Sequence, residues 1–292
     1  MSSVPESIPQ ARPHAHRPGV EPAPATLVPE SGWHFLHLFY RVDQGALAKL
    51  SADERECGRA EIVEAVESRA PTGPEQMQCF FLVGHKADFG MIMAGPDILA
   101  LHAVQTRIQA SALGPALVLA YSFYSITEIS EYVPDVEAYG KILRDREGVD
   151  PESPTYKTKL AQYEARLGPM NKQRLTPEFP DWPVVCFYPM SKMREEGQNW
   201  YTESFERRAE MMSGHGKSGM KFAGKVTQVI TASTGLDDWE WGVTLWCRNP
   251  SYLKDIVYTM RFDESSARFA LFGPFYPGFI LPVSQVLDSI RI

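Results

Sequence analysis

The order strand, helix, strand, strand, helix, strand is predicted twice along this chain, and it constrains the fold more than any single motif does. In the first copy, hydrophobic periodicity predicts strands at 33–42, 77–84, 89–94 and 116–129 and helices at 46–68 and 95–110. In the second copy it predicts strands at 184–188, 225–232, 239–247 and 269–281, a helix at 202–212 and a helix that begins at 249–251. Both second helices open on a proline, which suits a first helical turn. The predicted fold class is therefore α+β, with two ferredoxin-like βαββαβ halves that suggest duplication.

The two copies divide the chain into four segments. Residues 1–30 are rich in Pro and Ala, contain few large hydrophobic side chains, and are expected to form a disordered tail. The ferredoxin-like halves are expected at 31–133 and 181–292. Residues 134–180 are charged and interrupted by prolines, and they are expected to form a solvated connector that is partly helical.

Composition excludes several classes of protein. The chain has 292 residues, 44% of them hydrophobic, so it can bury a full core without disulfides. Its four cysteines form no CxxC pair and are expected to be buried, reduced thiols, as in a cytoplasmic protein. No apolar run reaches the roughly 20 residues that a membrane helix needs. A net charge of -7 argues against nucleic acid as a partner.

His215 is the only histidine in the last third of the chain. Helical spacing places it one turn after an apolar face of Phe205, Ala209 and Met212, so its imidazole is expected to point inward. The glycines on either side of it are expected to loosen the end of the helix. Two interpretations stay open: a core histidine whose ring nitrogens bond to neighbours, and an axial ligand to a haem-type iron.

Two predicted strands of the second copy carry side chains that need an explanation. Alternation puts Gln228 on the same face as Val226 and Ile230, where an unpaired buried amide would cost roughly 1–3 kcal/mol. A local partner or a ligand cavity must therefore satisfy this amide. On the next strand, alternation gathers side chains that would form either an ordinary core or the wall of a cavity for a flat, apolar ring: Trp239, Trp241, Val243 and Leu245.

A series of short motifs resembles the chlorite-dismutase-like family and, within it, the branch that decarboxylates iron coproporphyrin III (coproheme). The motifs are CFYPMSK at 186–192, NWY at 199–201, ERR at 206–208, HG at 215–216, GKV at 224–226, DWEWGVTL at 238–245, IVYTMRFDE at 256–264, SARF at 266–269 and FG at 272–273. The resemblance is dense from about residue 174 to residue 281, and it is weaker from 33 to 132. It implies that the sheets of the two halves form an α+β barrel, that porphyrin binds only in the C-terminal half, and that subunits assemble into a homopentameric ring.

The resemblance also implies an activity, that of a hydrogen-peroxide-dependent haem synthase. Two propionates of iron coproporphyrin III would be oxidatively decarboxylated to vinyl groups through a tyrosyl radical, giving protohaem (haem b). The iron porphyrin would be both substrate and redox centre, and hydrogen peroxide the oxidant. A coproporphyrin ferrochelatase would supply the substrate.

Carried over position by position, the resemblance implies roles for particular residues. His215 would be the axial iron ligand, Tyr188 the redox-active catalytic residue, and Lys192 a catalytic residue beside a reacting propionate. Further residues would bind the substrate, at 189–191 through the backbone and with Tyr132 as the weakest match: Arg174, Pro189, Met190, Ser191, Ser266 and Tyr132.

Two further residues leave alternatives open. Arg261 is a second-tier substrate contact that could equally form a structural ion pair with Asp263 or Glu264. At the position of Gln228, chlorite-decomposing relatives present an arginine that holds the chlorine oxyanion, which a neutral amide does poorly. Gln228 therefore favours the decarboxylase branch. A chlorite dismutase-type haem enzyme is the alternative enzyme function, and a non-catalytic haem carrier or sensor is the alternative outside enzymes.

Overall fold

The computed structural model describes residues 25–67 and 73–292, so residues 1–24 of the expected tail lie outside the described residues. The strands are β1 His34–Val42, β2 Gln76–Leu82, β3 Phe89–Gly95, β4 Leu117–Thr127, β5 Val184–Lys192, β6 Arg194–Glu195, β7 Gln198–Asn199, β8 Val226–Ala232, β9 Trp241–Cys247, β10 Ala270–Phe272 and β11 Tyr276–Ile280. The α-helices are α1 Gln44–Leu47, α2 Ala52–Glu67, α3 Ile98–Ala110, α4 Val136–Asp145, α5 Pro154–Leu175, α6 Phe205–Met220, α7 Pro250–Met260, α8 Glu264–Phe269 and α9 Val283–Ser289.

Both halves have the strand order of a ferredoxin-like unit. The first half is ordered β2-β3-β1-β4 and the second β8-β9-β5-β11, with antiparallel pairing throughout. The halves join at two short pairings, β4 with β8 and β11 with β2. Because β5 pairs with β9 as well as with β11, these eight strands close into a ring. The predicted α+β fold of two ferredoxin-like halves is confirmed, and the closed ring is the pairing that a barrel requires.

Two hydrophobic layers follow from strand alternation in the first half. One face of its strands packs against α2, α3 and α9. The other face points into the ring, where it meets side chains of the second half in a core that includes these aromatic residues: Phe35, Phe39, Phe80, Phe123, Phe187 and Trp246. The interior of the ring is therefore filled with side chains contributed by both halves.

His37 lies inside the ring among these aromatic side chains. Its imidazole is fully buried, with its centroid 4.0 Å from that of Phe187, and its Nε2 hydrogen-bonds to Thr244 Oγ1 at 2.8 Å. Burial lowers the pKa of His37 from 6.5 to about 3, because a charged imidazole is poorly solvated there. His37 is therefore a neutral core residue.

We expect His37 to make the protein less stable as the pH falls from 6.5 to 4. In this window the unfolded chain binds a proton at His37 and the folded chain does not. The free energy of unfolding should therefore fall by about 1.4 kcal/mol per pH unit, or roughly 3 kcal/mol by pH 4. Urea titrations of a His37→Phe variant should lack this contribution and show a shallower pH slope. The exposed His85→Phe variant is the control, and equal slopes for the two variants would contradict the prediction.

Two elements of the second half are longer than their local sequence predicts. Helix α6 continues through Gly214 and Gly216 instead of loosening there, because it packs against α7 and α8. Strand β5 keeps regular pairing with β9 through Pro189 to Met190. On its other side, β5 pairs first with β11 and then with β10, and Pro189 lies between these two pairings. The N–H that proline lacks therefore removes no hydrogen bond from the sheet.

Other boundaries differ where the chain turns. The pattern at 269–281, predicted as one strand, is divided among the end of α8, β10 and β11, and the helix predicted at 46–68 is interrupted between α1 and α2. Pro250 occupies the first turn of α7 as predicted, whereas Pro96 precedes Asp97, the N-cap of α3. Helix α9 corresponds to no predicted element.

Three features of the remaining chain bear on the predictions. Segment 134–180 contains α4 and α5, which are held together by the stacked rings of Tyr139 and Tyr163 at 4.0 Å. All four cysteines are free thiols, but Cys57 is exposed and departs from the expected burial. Within 25–67 and 73–292, no helix has the length and apolar character needed to cross a membrane.

Candidate functional site

One face of the second half's sheet forms the first wall of the candidate site. Tyr188 on β5 pairs with Val243 on β9, which in turn pairs with Ile230 on β8, so these three side chains share a face. Met190 and Gln228 lie two residues away along their strands and share it too. Gln228 and Ile230 are exposed there. The amide therefore borders open space and is not an unpaired group in a closed core.

The predicted row of tryptophans is only partly correct. Strand β9 begins at Trp241, so alternation places Trp241, Val243 and Leu245 on this wall. Trp239 precedes the strand and packs with the aromatic core inside the ring. Its predicted place on the wall is wrong because regular strand geometry starts only after it.

The half-buried ring of Tyr188 is flanked by two aromatic rings. Its ring stacks on Phe275 at 4.4 Å and meets the edge of Phe272 at 5.7 Å, measured between centroids. Burial raises the pKa of Tyr188 well above its usual value of 10. The phenol therefore stays protonated at neutral pH, and oxidation must remove its proton together with an electron.

A second wall is formed by α6, α7 and α8. Helix α6 begins after its N-cap Ser204 and packs on α7 and α8, while α7 packs on β8 and β9. His215 lies where α6 meets the start of α8, with its Nδ1 3.0 Å from Asp263 Oδ2. Its Nε2 has no hydrogen-bond partner among the described residues. A carboxylate at Nδ1 fixes the ring and leaves Nε2 as the basic nitrogen, which is the state that an axial iron ligand needs.

Asp263 is itself held in place by the first turn of α8. As the N-cap residue it accepts hydrogen bonds from Ser266 N–H at 3.0 Å and from Ser265 Oγ at 2.9 Å. Burial opposes its ionisation, but His215 and these serine contacts together hold the pKa of Asp263 at about 2. Asp263 is therefore a charged group that orients His215 at neutral pH.

The ammonium of Lys192 is buried at the end of β5. Its Nζ lies 4.1 Å from the centre of the Trp200 ring and donates to the Ser265 carbonyl oxygen at 3.2 Å. Burial lowers the pKa of Lys192 to about 8, and neighbouring carboxylates limit the fall. The structure thus places Lys192 in the cluster that contains His215 and Asp263.

Arg174 carries a half-buried cation without an anionic partner among the described residues. It lies in the last turn of α5, where Thr127 Oγ1 donates to the Leu175 carbonyl at 2.7 Å. Thr127 pairs with Thr231 on β8, so this turn adjoins the strand ends where β4 and β8 meet. Nη1 of Arg174 is buried and has no hydrogen-bond partner, and burial lowers the guanidinium pKa. A carboxylate bound here would satisfy that nitrogen, so Arg174 fits the propionate of a porphyrin.

The serines predicted to bind carboxylates are already engaged. Ser191 Oγ accepts a hydrogen bond from Glu240 N–H at 3.2 Å. Ser266 Oγ lies 3.2 Å from Asp263 Oδ2, so it supports the carboxylate that orients His215. The bond of the Ser191 hydroxyl does not involve the backbone, which is the part of Ser191 predicted to contact the substrate. A contact of the Ser266 hydroxyl with a carboxylate would have to share its bond with Asp263.

Tyr132 and Arg261 lie at the margins of the helical wall. Tyr132 stacks on Phe205 at 5.8 Å, and its hydroxyl accepts a hydrogen bond from Arg208 Nε at 3.1 Å. Arg261 is exposed at the end of α7. Its alternative ion pair with Asp263 or Glu264 is not formed, since the first of these carboxylates pairs with the site histidine and the second with two other arginines.

Three residues of this cluster had no predicted site role: Trp200, Glu240 and Asp263. Asp263 had a local signal, because aspartate is a favoured N-cap residue and an acidic residue such as Glu264 is typical of the first helical turn. Trp200 had none. The short hairpin of β6 and β7 brings Trp200 back to the end of β5. There its backbone N–H donates to the Met193 carbonyl at 3.0 Å. Glu240 directly precedes β9, and it reaches the end of β5 because β9 pairs with β5. Its carboxylate accepts a hydrogen bond from the backbone N–H of Lys192 at 2.7 Å.

Similarity to known proteins covers most of the chain. The model of a family described as chlorite dismutase matches residues 55–281. A haem-binding protein from Thermus thermophilus is 35% identical, with a TM-score of 0.70 over 89% of this chain and 95% of that chain. An arginine-to-lysine variant of chlorite dismutase from Candidatus Nitrospira defluvii has the same fold at 18% identity, with a TM-score of 0.67 over 90% of this chain and 97% of that chain. The chain therefore belongs to the chlorite dismutase family.

Proposed function

We propose that this protein decarboxylates iron coproporphyrin III to protohaem with hydrogen peroxide as oxidant. One observation carries the proposal: the half-buried phenol of Tyr188 and the neutral amide of Gln228 share an open sheet face in the half that also holds the carboxylate-oriented imidazole of His215. The haem-binding protein from Thermus thermophilus, at 35% identity, supports a porphyrin ligand. A phenol suits hydrogen-atom transfer, and an uncharged amide leaves no cation to hold an oxyanion.

His215 binds the iron of the substrate through Nε2, and Asp263 keeps the imidazole in the required tautomer. The bound iron porphyrin activates hydrogen peroxide and so supplies the oxidising power. Tyr188 gives up its phenolic hydrogen atom and then removes one from the β-carbon of a propionate. The carboxylate leaves as carbon dioxide when a second electron is withdrawn. Each propionic acid group and one hydrogen peroxide thus give one vinyl group, one carbon dioxide and two water molecules.

The substrate's remaining carboxylates need fixed partners to hold the reacting propionate near the phenol. Arg174 is one partner, since its buried Nη1 has no partner within the described chain. The backbone of Pro189, Met190 and Ser191 borders the site next to Tyr188, and Lys192 supplies a positive charge at the end of the same strand. We place Tyr132 and Arg261 in supporting positions at the margin of the helical wall.

The assembly and supply of the proposed enzyme follow from the family resemblance. We propose a homopentamer in the cytoplasm that receives iron coproporphyrin from a coproporphyrin ferrochelatase. Mass measurement of the intact assembly in native buffer tests the first part, and a dimer or monomer at working concentration would contradict it.

A stepwise peroxide titration of the complex with iron coproporphyrin III tests the activity. We expect mass spectrometry of the extracted pigment to show two successive losses of carbon dioxide and two hydrogens, with about one hydrogen peroxide consumed for each. An unchanged pigment mass would instead indicate a carrier or sensor. Parallel addition of chlorite, with an oxygen electrode, tests the chlorite dismutase alternative, and rapid oxygen release without pigment conversion would favour it.

A further inference from the structure

A buried cation lies over a buried indole behind the proposed iron ligand. Lys192 Nζ is 4.1 Å from the centre of the Trp200 ring, and both residues are largely buried, at 9% and 3% exposure. Trp200 packs with Met211 and Phe269, and Met212 on α6 contacts the same cluster. This packing fixes the indole against the ammonium.

A short chain of contacts connects this pair to His215. Lys192 Nζ donates to the Ser265 carbonyl oxygen at 3.2 Å, Ser265 Oγ donates to Asp263 at 2.9 Å, and Asp263 lies 3.0 Å from His215 Nδ1. The indole is therefore connected to the imidazole through Nδ1 and not through Nε2, the nitrogen proposed to bind the iron. An oxidisable ring at this place is a competitor of Tyr188 for the oxidising power generated at a bound iron porphyrin.

The ammonium opposes oxidation of the ring. Cation–π attraction stabilises the neutral, electron-rich indole, whereas removing an electron would place a positive charge beside an existing one. Burial increases this effect because little water screens the two charges. Asp263 and Glu240 both favour the charged form of Lys192, which has a pKa of about 8 and is therefore protonated at neutral pH.

We infer that Lys192 is a specificity-determining residue that keeps Trp200 reduced, so that oxidation is directed to Tyr188. This inference rests on the proposed function, because hydrogen peroxide acting at the bound iron porphyrin is the oxidant. The suppressed side reaction adds one oxygen: the Trp200 indole and one hydrogen peroxide give a hydroxyindole and one water. Its mass change marks the residue directly, without any measurement of protohaem.

The decisive comparison is made in a background in which Tyr188 cannot act. Tyr188→Phe and Tyr188→Phe/Lys192→Met differ in the charge at position 192, and they are compared at equal loading with iron coproporphyrin III, so that the oxidising power available to each is the same. After loading with iron coproporphyrin III and a fixed dose of hydrogen peroxide, peptide mass spectrometry quantifies oxygen added to Trp200. We expect roughly tenfold more oxidised Trp200 in the double variant, as the size of a buried cation–π interaction predicts.

Three controls separate charge from other effects. Tyr188→Phe/Lys192→Arg keeps the charge and should keep Trp200 as unreactive as in Tyr188→Phe. Tyr188→Phe/Lys225→Met removes a surface lysine that lies 5.3 Å from the Tyr252 ring, and it should not alter Trp200. Trp246, fully buried in the core of the ring, is the reference within the same digest. Circular dichroism and porphyrin absorption confirm that each variant is folded and loaded.

The possible results distinguish this inference from the proposed function. If Trp200 is oxidised equally in Tyr188→Phe and in Tyr188→Phe/Lys192→Met, or in neither, the inference is overturned. This holds even if the unchanged protein makes protohaem. Oxidation that rises on loss of the charge supports it. If Trp200 oxidation rises in this way but the unchanged protein makes no protohaem, the proposed decarboxylation is refuted and the protective role of Lys192 is kept.

Discussion

The Tyr188→Phe protein is expected to bind iron coproporphyrin III normally and to make no detectable protohaem. Phenylalanine keeps the ring that stacks on Phe275 at 4.4 Å and meets the edge of Phe272 at 5.7 Å, so the enclosure should be unchanged. It lacks only the O–H bond whose hydrogen atom the reaction requires. We expect vinyl formation to fall at least about 1000-fold, which corresponds to roughly 4 kcal/mol in the activation barrier.

Absorption titration and timed mass analysis of the pigment separate binding from turnover in this variant. Tyr258→Phe is the matched control, because Tyr258 is 62% exposed on α7 and contacts only the edge of Phe262 among the described aromatic rings. This control should convert substrate at the rate of the unchanged protein. Protohaem formed at the normal rate by Tyr188→Phe would remove Tyr188 from the mechanism.

Replacing His215 by alanine is expected to have the second-largest effect, on iron porphyrin binding. The change removes the proposed axial ligand while leaving Asp263 bonded to Ser265 and Ser266. Loss of a residue that only supports a metal ligand usually lowers the affinity about 10–100-fold, and we expect the affinity of His215→Ala for iron coproporphyrin to fall by more than about 100-fold. In Asp263→Asn the affinity should fall about 10–100-fold, because the neutral amide orients the imidazole less firmly.

Soret-band titrations of the unchanged protein, His215→Ala and Asp263→Asn measure these affinities. Added imidazole should restore the band in His215→Ala, because it can fill the space left by the side chain. His102→Ala, on the exposed side of α3, should bind like the unchanged protein. Metal-free coproporphyrin provides a second control, since its binding does not depend on an axial ligand. A normal Soret band and affinity in His215→Ala would show that another residue binds the iron.

The fold was predictable to the extent that short-range patterns specify it. Alternation and helical periodicity located the strands and helices of both halves, and the repeated order predicted the ferredoxin-like topology that the sheet confirms. Predictions failed where distant contacts outweighed local preferences. Helix α6 passes through Gly214 and Gly216 because α7 and α8 support it, and β5 passes through Pro189 because the strand beside it changes there.

The candidate site divides in the same way. Tyr188, Gln228 and His215 could be identified from the sequence because motif resemblance and alternation depend on neighbours along the chain. The structure places the first two on one sheet face, as strand register requires. The predicted contact of Ser266 with a substrate carboxylate did not anticipate that its hydroxyl lies 3.2 Å from Asp263 Oδ2.

Residue order along the chain is enough to specify two α+β halves, an imidazole on a helix and a phenol on a strand, since each of these depends on neighbouring residues. The surroundings of the imidazole and the phenol depend on contacts between distant residues. The Asp263 carboxylate on His215 and the Trp200 ring under Lys192 join residues 48 and 8 positions apart, respectively. Such contacts arise when separate elements pack, and the energy of each depends on distance and burial, which no local pattern encodes.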